Sequence, residues 1–116
     1  MQVDSPSKEF TVVFEDDGDT GYFYALAPGA SGQLDLLDAV HVYNAEEELR
    51  GTDVLLQVEW AVNSRYAGLR LNASMWAVFD FGSGNGWSRS NFPPPAGSWR
   101  MGGQRPPWDD SLIRLF

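Results

Sequence analysis

Val54-Leu55-Leu56-Gln57-Val58-Glu59-Trp60-Ala61-Val62, then Asn63-Ser64, then Arg65-Tyr66-Ala67-Gly68-Leu69-Arg70-Leu71, is the stretch that decides the fold class. Val54, Leu56, Val58, Trp60 and Val62 alternate with Leu55, Gln57, Glu59 and Ala61, the period-two pattern of a half-buried strand. A two-residue turn at Asn63-Ser64 sets Trp60 opposite Ala67, Val58 opposite Leu69 and Leu56 opposite Leu71. The same register sets Gln57 opposite Arg70 on the polar face, with Glu59 diagonal to Arg70. One register satisfies both faces, so this piece reads as an antiparallel hairpin.

Downstream the meander continues. A third strand over Met75–Phe81, after a three-residue turn, buries Met75, Ala77, Phe79 and Phe81. Gly82-Ser83-Gly84-Asn85-Gly86 is the next turn and Trp87–Phe92 the next strand. Pro93-Pro94-Pro95-Ala96-Gly97 and Gly102–Pro107 support neither ladders nor helices, because proline lacks the amide donor and glycine costs backbone entropy. Trp99 and Trp108 are expected to pin this segment to the domain. Trp108–Phe116 closes as a short C-terminal helix, with Asp109 and Asp110 in its first turn and Arg114 in its last.

Upstream, residues 1–8 read as a disordered lead. Glu9–Glu15 and Thr20–Ala27 read as strands joined at Asp17-Gly18, a strong hairpin signal. That turn sets Phe14 against Gly21, Val12 against Phe23 and Phe10 against Ala25 on one face, with Val13 against Tyr22 and Thr11 against Tyr24 on the other. Pro28–Gln33 is a loop. Leu34, Leu37 and Val40 also fit helical spacing, but the run Val40-His41-Val42-Tyr43 makes Leu36–Tyr43 a strand. Glu46-Glu47-Glu48 sits in a connecting loop or helical turn. The expectation is a mainly β protein of about seven strands, an antiparallel sandwich or a strongly bent sheet, with a short C-terminal helix. Residues 9–116 form a single β-rich domain with a Pro/Gly-rich segment at 93–107.

Composition limits the function classes. The 116 residues are 43% hydrophobic and 14% aromatic, enough for a packed core. There is no cysteine, which removes disulfides, thiolate zinc sites and cysteine nucleophiles. Met1–Pro6 has neither a basic patch nor an apolar run, and no stretch approaches the ~18 apolar residues of a membrane span. A cytoplasmic protein without membrane partners is the simplest expectation. Thirteen of the sixteen acidic residues fall within residues 1–59, against Lys8 and Arg50 alone. Such a field repels nucleic acid and speeds encounter with a basic protein partner.

The acidity peaks at Glu15-Asp16-Asp17-Gly18-Asp19, followed by Thr20-Gly21-Tyr22-Phe23-Tyr24. Three readings fit it: a hard-cation loop, a recognition knob, and a solvated polar turn. The spacing departs from the Asp-x-Asp-x-Asp-Gly calcium pattern, so no metal or other cofactor is expected. His41 is the only histidine and reads as a structural residue; with no Gly-x-Ser-x-Gly elbow, no catalytic set is expected. A glycosidase-like pairing of Glu59 with Asp80 is outweighed by the place of Glu59 on a polar strand face.

Phe14-Glu15-Asp16-Asp17-Gly18-Asp19-Thr20-Gly21-Tyr22-Phe23-Tyr24-Ala25 resembles the signature of a small bacterial family known only as a domain of unknown function. Asp38-Ala39 with Tyr43-Asn44, Leu69-x-Leu71-Asn72, Ala77-Val78-Phe79-Asp80-Phe81 and Asn91-Phe92-Pro93 are similar to its later blocks, so the resemblance runs from about residue 9 to 95. It implies no activity. In size and acidity the chain also resembles immunity proteins of bacterial toxin systems.

The expected function is a non-catalytic, immunity-type inhibitor. It would dock Glu15, Asp16, Asp17 and Asp19 into a basic toxin cleft, with Tyr22 and Tyr24 as anchors. Charge reversal at Asp16 and Asp17 is then expected to slow association and spare the fold. The rival is a carbohydrate- or small-ligand-binding module using Trp76, Trp87 or Trp99.

Overall fold

The computed structural model describes residues 1–44, 54–95, 99 and 105–116. Eight strands are described: β1 (Gln2–Asp4), β2 (Thr11–Asp16), β3 (Thr20–Pro28), β4 (Leu34–Asn44), β5 (Leu56–Ala61), β6 (Tyr66–Leu71), β7 (Ser74–Asp80) and β8 (Asn85–Ser88). They form two four-stranded antiparallel meanders, β1-β2-β3-β4 and β5-β6-β7-β8. The inner faces meet as a sandwich. Val12, Phe14, Phe23, Ala25, Val40 and Val42 of the first sheet pack with Ala67, Leu69, Leu71, Ala77 and Phe79 of the second. Phe23 and Phe79 stack across the layers with ring centroids 4.9 Å apart.

The β5–β6 register is the one its alternation dictates, pair for pair: Leu56↔Leu71, Gln57↔Arg70, Val58↔Leu69 and Trp60↔Ala67. Arg70 reaches diagonally to Glu59 at 3.5 Å. Between β6 and β7 the turn has two residues, Asn72 and Ala73, both at positive φ, where three were expected. A bulge then opposes Arg70 to Met75 and Leu69 to Ala77. The extra residue turns Met75 away from the inner core. Met75 joins Val78 and Leu112 in a second cluster on the outer face, with Trp87, Trp108 and Phe116.

That second cluster explains the C-terminal segment. Asp110–Leu115 is a 3-10 helix capped by Asp109, whose carboxylate accepts from Ser111 N at 2.9 Å. Leu112 is its buried residue. Upstream of it, Trp99 donates its amide to Leu37 O and packs edge-on against Phe81 at 5.2 Å. Arg89 lies over the rings of Trp76 and Trp108, at 5.8 and 5.1 Å.

Two expectations at the N-terminal end are corrected. Residues 1–8 are no disordered lead: Gln2–Asp4 pairs with β2, Val3 packs on the core, and Ser5 is fully buried. One apolar residue in a three-residue strand leaves no periodicity to read. The β2–β3 register also differs, with Phe14 opposite Phe23 and Val12 opposite Ala25. Asp17 N bonds Thr20 O, so the two-residue loop is Gly18-Asp19, with Gly18 at φ +97. Glycine at the first central position is what a type II′ turn requires. The slip is two residues, so every side chain keeps its expected face. The run Glu46-Glu47-Glu48 and most of the Pro/Gly-rich segment lie outside the described residues.

Candidate functional site

The β2–β3 hairpin has its inner face committed to the core, with Phe14 and Phe23 buried. Its carboxylates divide into two kinds. Asp16 accepts from Gly18 N at 2.7 Å and from Tyr43 OH at 2.5 Å. Asp17 accepts from Asp19 N at 2.9 Å and Thr20 N at 2.8 Å. The Thr20 amide, followed by the Asp19 amide, holds the Asp17 carboxyl below its ordinary value. Asp16 and Asp17 therefore serve the turn itself, so charge reversal there is expected to loosen the turn as well as change the charge. Glu15 and Asp19 are exposed side chains whose carboxylates face solvent.

Gly21 completes the arrangement. A Cβ on it would lie 2.7 Å from the Tyr43 ring and 3.0 Å from Phe14. The phenylalanine that covers this bare backbone comes from a diagonal position. Burial first, and then the bond to Asp16, push the Tyr43 phenol well above its ordinary value.

The outward face of the first sheet follows from the register. Asp4 of β1 stands beside Thr11, and Val13 and Glu15 of β2 stand beside Tyr24 and Tyr22 of β3. Tyr22, Tyr24 and Leu26 in turn oppose His41, Ala39 and Leu36 of β4. None of these residues is Lys or Arg. Tyr22 and Tyr24 lie side by side, ring planes 23° apart and centroids 6.2 Å apart. Val13, Glu15, Tyr24 and Leu26 line a shallow groove of about 200 Å³. Burial, and after it the Glu15 charge, raises the Tyr24 phenol above its ordinary value. The structure thus brings Glu15, Tyr22 and Tyr24 together on one face, with Asp19 at the adjoining tip and Asp16 and Asp17 inside the turn.

His41 borders this face. Its Nε2 is 2.9 Å from Asn44 Oδ1, and Tyr22 and Phe92 meet its ring at 5.6 and 6.1 Å. Glu59 is taken by Arg70 and Asp80 by Arg65, so those two carboxylates serve separate ion pairs. Asp80 also accepts from Gly82 N, Ser83 N and Ser83 Oγ, which uses the donors of the glycine-rich turn. Among the described residues no three His, Cys, Asp or Glu side chains are placed to hold one metal ion. Nor is any helix there long and apolar enough to cross a membrane.

Of the tryptophans considered for sugar stacking, Trp76 lies under Arg89, Trp87 packs in the outer cluster, and Trp99 packs against Phe79 and Phe81. Sequence reasoning missed Phe92, which is 51% exposed at the margin of the tyrosine face, and Arg105. The side chain of Arg105 is only 2% exposed; it forks onto Asp38 at 2.7 and 2.9 Å. An acid amid the inward residues of β4 was the signal for such a partner.

Over residues 1–116 the chain matches the model of a family described as an uncharacterized protein conserved in bacteria (DUF2251). It is 37% identical over 89 residues to an uncharacterized protein of Haemophilus influenzae, a match covering 76% of this chain and 55% of that relative. The chain therefore spans about half the length of the curated relative it matches. No solved structure matches it significantly. The chain belongs to the DUF2251 family.

Proposed function

We propose that this member of the family is a non-catalytic binding protein, an immunity-type inhibitor that works in the cytoplasm on a basic toxin domain. The observation that carries the reading is the outward face of β1–β4, where carboxylates flank the paired tyrosines and the register places no lysine or arginine. Residues 1–44, the strands of this sheet and their connections, hold eight carboxylates against Lys8 alone, and of these only Asp38 is buried, against Arg105. A cleft that binds nucleic-acid phosphates is positive, and a surface of this charge competes for it. Glu15 and Asp19 supply steering charge, while Tyr22 and Tyr24 supply contact area. Asp16 and Asp17 act by holding the turn that presents them.

The test pairs capture with function. The tagged chain and its Glu15→Lys/Asp19→Lys variant are used to capture partners from lysate of the source cells. We expect a basic protein that arrests growth when expressed alone and is neutralised by co-expression of this chain. The variant should associate at least about tenfold more slowly at low salt, a difference that shrinks as salt rises. Equal rates would remove the electrostatic account, and a captured protein without toxicity would remove the inhibitor reading. The packed state of Trp76, Trp87 and Trp99 takes support from the rival sugar-binding reading.

A further inference from the structure

We propose that the groove formed by Val13, Glu15, Tyr24 and Leu26 is a seat for one arginine side chain of the partner, an inference that rests on the binding reading above and names its central contact. Size comes first. At about 200 Å³ the groove is below the ~300–1,000 Å³ of drug-sized ligand sites, so it holds one side chain rather than a free ligand. Its walls come second. Val13 and Tyr24 are direct cross-strand partners, and Leu26 and Glu15 follow them at opposite ends of the same face. An aliphatic stem therefore meets Val13 and Leu26, while a cationic head meets the Glu15 carboxylate.

Charge complementarity fixes the sign of the occupant. Glu15 is exposed, and Asp4, Asp16, Asp17 and Asp19 lie on the same sheet or its tip, so an anion is repelled. A wholly apolar side chain would desolvate Glu15 and offer it no partner, which is costly. Between the two cations, the groove suits arginine. The Tyr24 ring, steadied by the neighbouring Tyr22 ring, offers the groove an aromatic wall against which a planar guanidinium lies, and its fork matches a carboxylate. A lysine ammonium is a hydrated point charge that uses the carboxylate but gains less from the ring plane.

The test uses the full chain, labelled with 15N, and three capped tripeptides: Gly-Arg-Gly, Gly-Lys-Gly and Gly-citrulline-Gly. The arginine peptide should shift the amides of Val13, Glu15, Tyr24 and Leu26, saturating with Kd of about 1–10 mM. The lysine peptide should bind several-fold more weakly and the citrulline peptide at least about tenfold more weakly. Glu15→Gln should abolish the arginine shifts. Tyr24→Leu, which keeps the wall apolar, should erase the preference for arginine over lysine. Equal binding of citrulline and arginine, or shifts scattered over every carboxylate, would overturn the seat.

The two readings fail separately. Arginine shifts confined to the groove, with no toxin captured, leave the seat standing and remove the inhibitor. A neutralised toxin that binds Glu15→Gln and Tyr24→Leu as tightly as the unaltered chain removes the seat and leaves the inhibitor.

Discussion

At the scale of single residues, Arg105 joins the two layers of the sandwich. Its Nη1 donates to Asp38 Oδ2 and Gly86 O, its Nη2 to Asp38 Oδ1 and Ala39 O, and its Nε to Pro93 O. One guanidinium thus ties β4 to β8 and to the segment after β8. The pair is buried, Asp38 being 1% exposed, so each charge depends on the other. Removing either leaves an uncompensated charge in the interior, at a cost of about 3–5 kcal/mol. That is a large share of the ~5–15 kcal/mol typical of a domain. Arg105→Ala and Asp38→Ala should each lower stability by about that amount in urea unfolding. Arg105→Lys should rescue little, because an ammonium cannot serve five acceptor contacts in one plane. A loss below about 1 kcal/mol for Arg105→Ala would mean that water reaches the site and the clasp is dispensable.

Among the elements, the β2–β3 hairpin shows what a sequence can and cannot say. Its faces were legible, because alternation in both strands leaves one solution for which residues enter the core. Its register was not, because Asp17-Gly18 matches a favoured turn dipeptide. The carboxylates of Asp16 and Asp17 instead take up the turn amides and move the loop to Gly18-Asp19. The β5–β6 register was legible, since Gln57, Glu59 and Arg70 constrain the polar face as firmly as the apolar residues constrain the other. Val62, expected in the apolar set, instead enters the turn at φ +50 and is 65% exposed. For the candidate site, Glu15, Tyr22 and Tyr24 were legible by alternation. The structural use of Asp16 was not, because Tyr43 is 27 residues away. The same contact makes a prediction for the hairpin. Gly21→Ala places a methyl against Tyr43, whose hydroxyl is held by Asp16, so the ring has little room to yield. A loss of about 1–3 kcal/mol is expected in thermal or urea unfolding, with the tyrosine face retained. In a Tyr43→Leu background the penalty should shrink; an unchanged penalty would place the strain elsewhere.

At the scale of the molecule the charge is layered, an acidic β1–β4 sheet packed on a β5–β8 layer in which Glu59 and Asp80 each meet an arginine. Stability should therefore respond to pH through a few named groups. Burial pushes the Asp80 carboxyl up, but the bonds from Arg65, Ser83 and Gly82 together outweigh it and hold it below its ordinary value. Amides do the same for Asp17, and Ser111 does so for Asp109 at the cap. A carboxyl depressed in the folded state binds its proton more readily when unfolded. Its contribution is present above the unfolded value of about 4 and is lost as pH falls below it. Tyr43 and Tyr24 act in the opposite sense. Their folded-state values are raised by burial first, and then by Asp16 and Glu15 respectively, so the unfolded chain ionises first. Their contribution is complete below about pH 10 and is lost as pH rises beyond it. A melting series from pH 2 to 12 should show a plateau between about 4 and 10, with a fall on each side. Arg65→Gln should reduce the acid limb by weakening the hold on Asp80, and Tyr43→Phe should reduce the alkaline limb by removing the ionising phenol. Because each variant alters one limb, the pair separates site-specific linkage from repulsion over the whole acidic sheet, which both variants leave in place. If Tyr43→Phe melts with an alkaline limb as steep as the unaltered chain, that limb belongs to the repulsion instead.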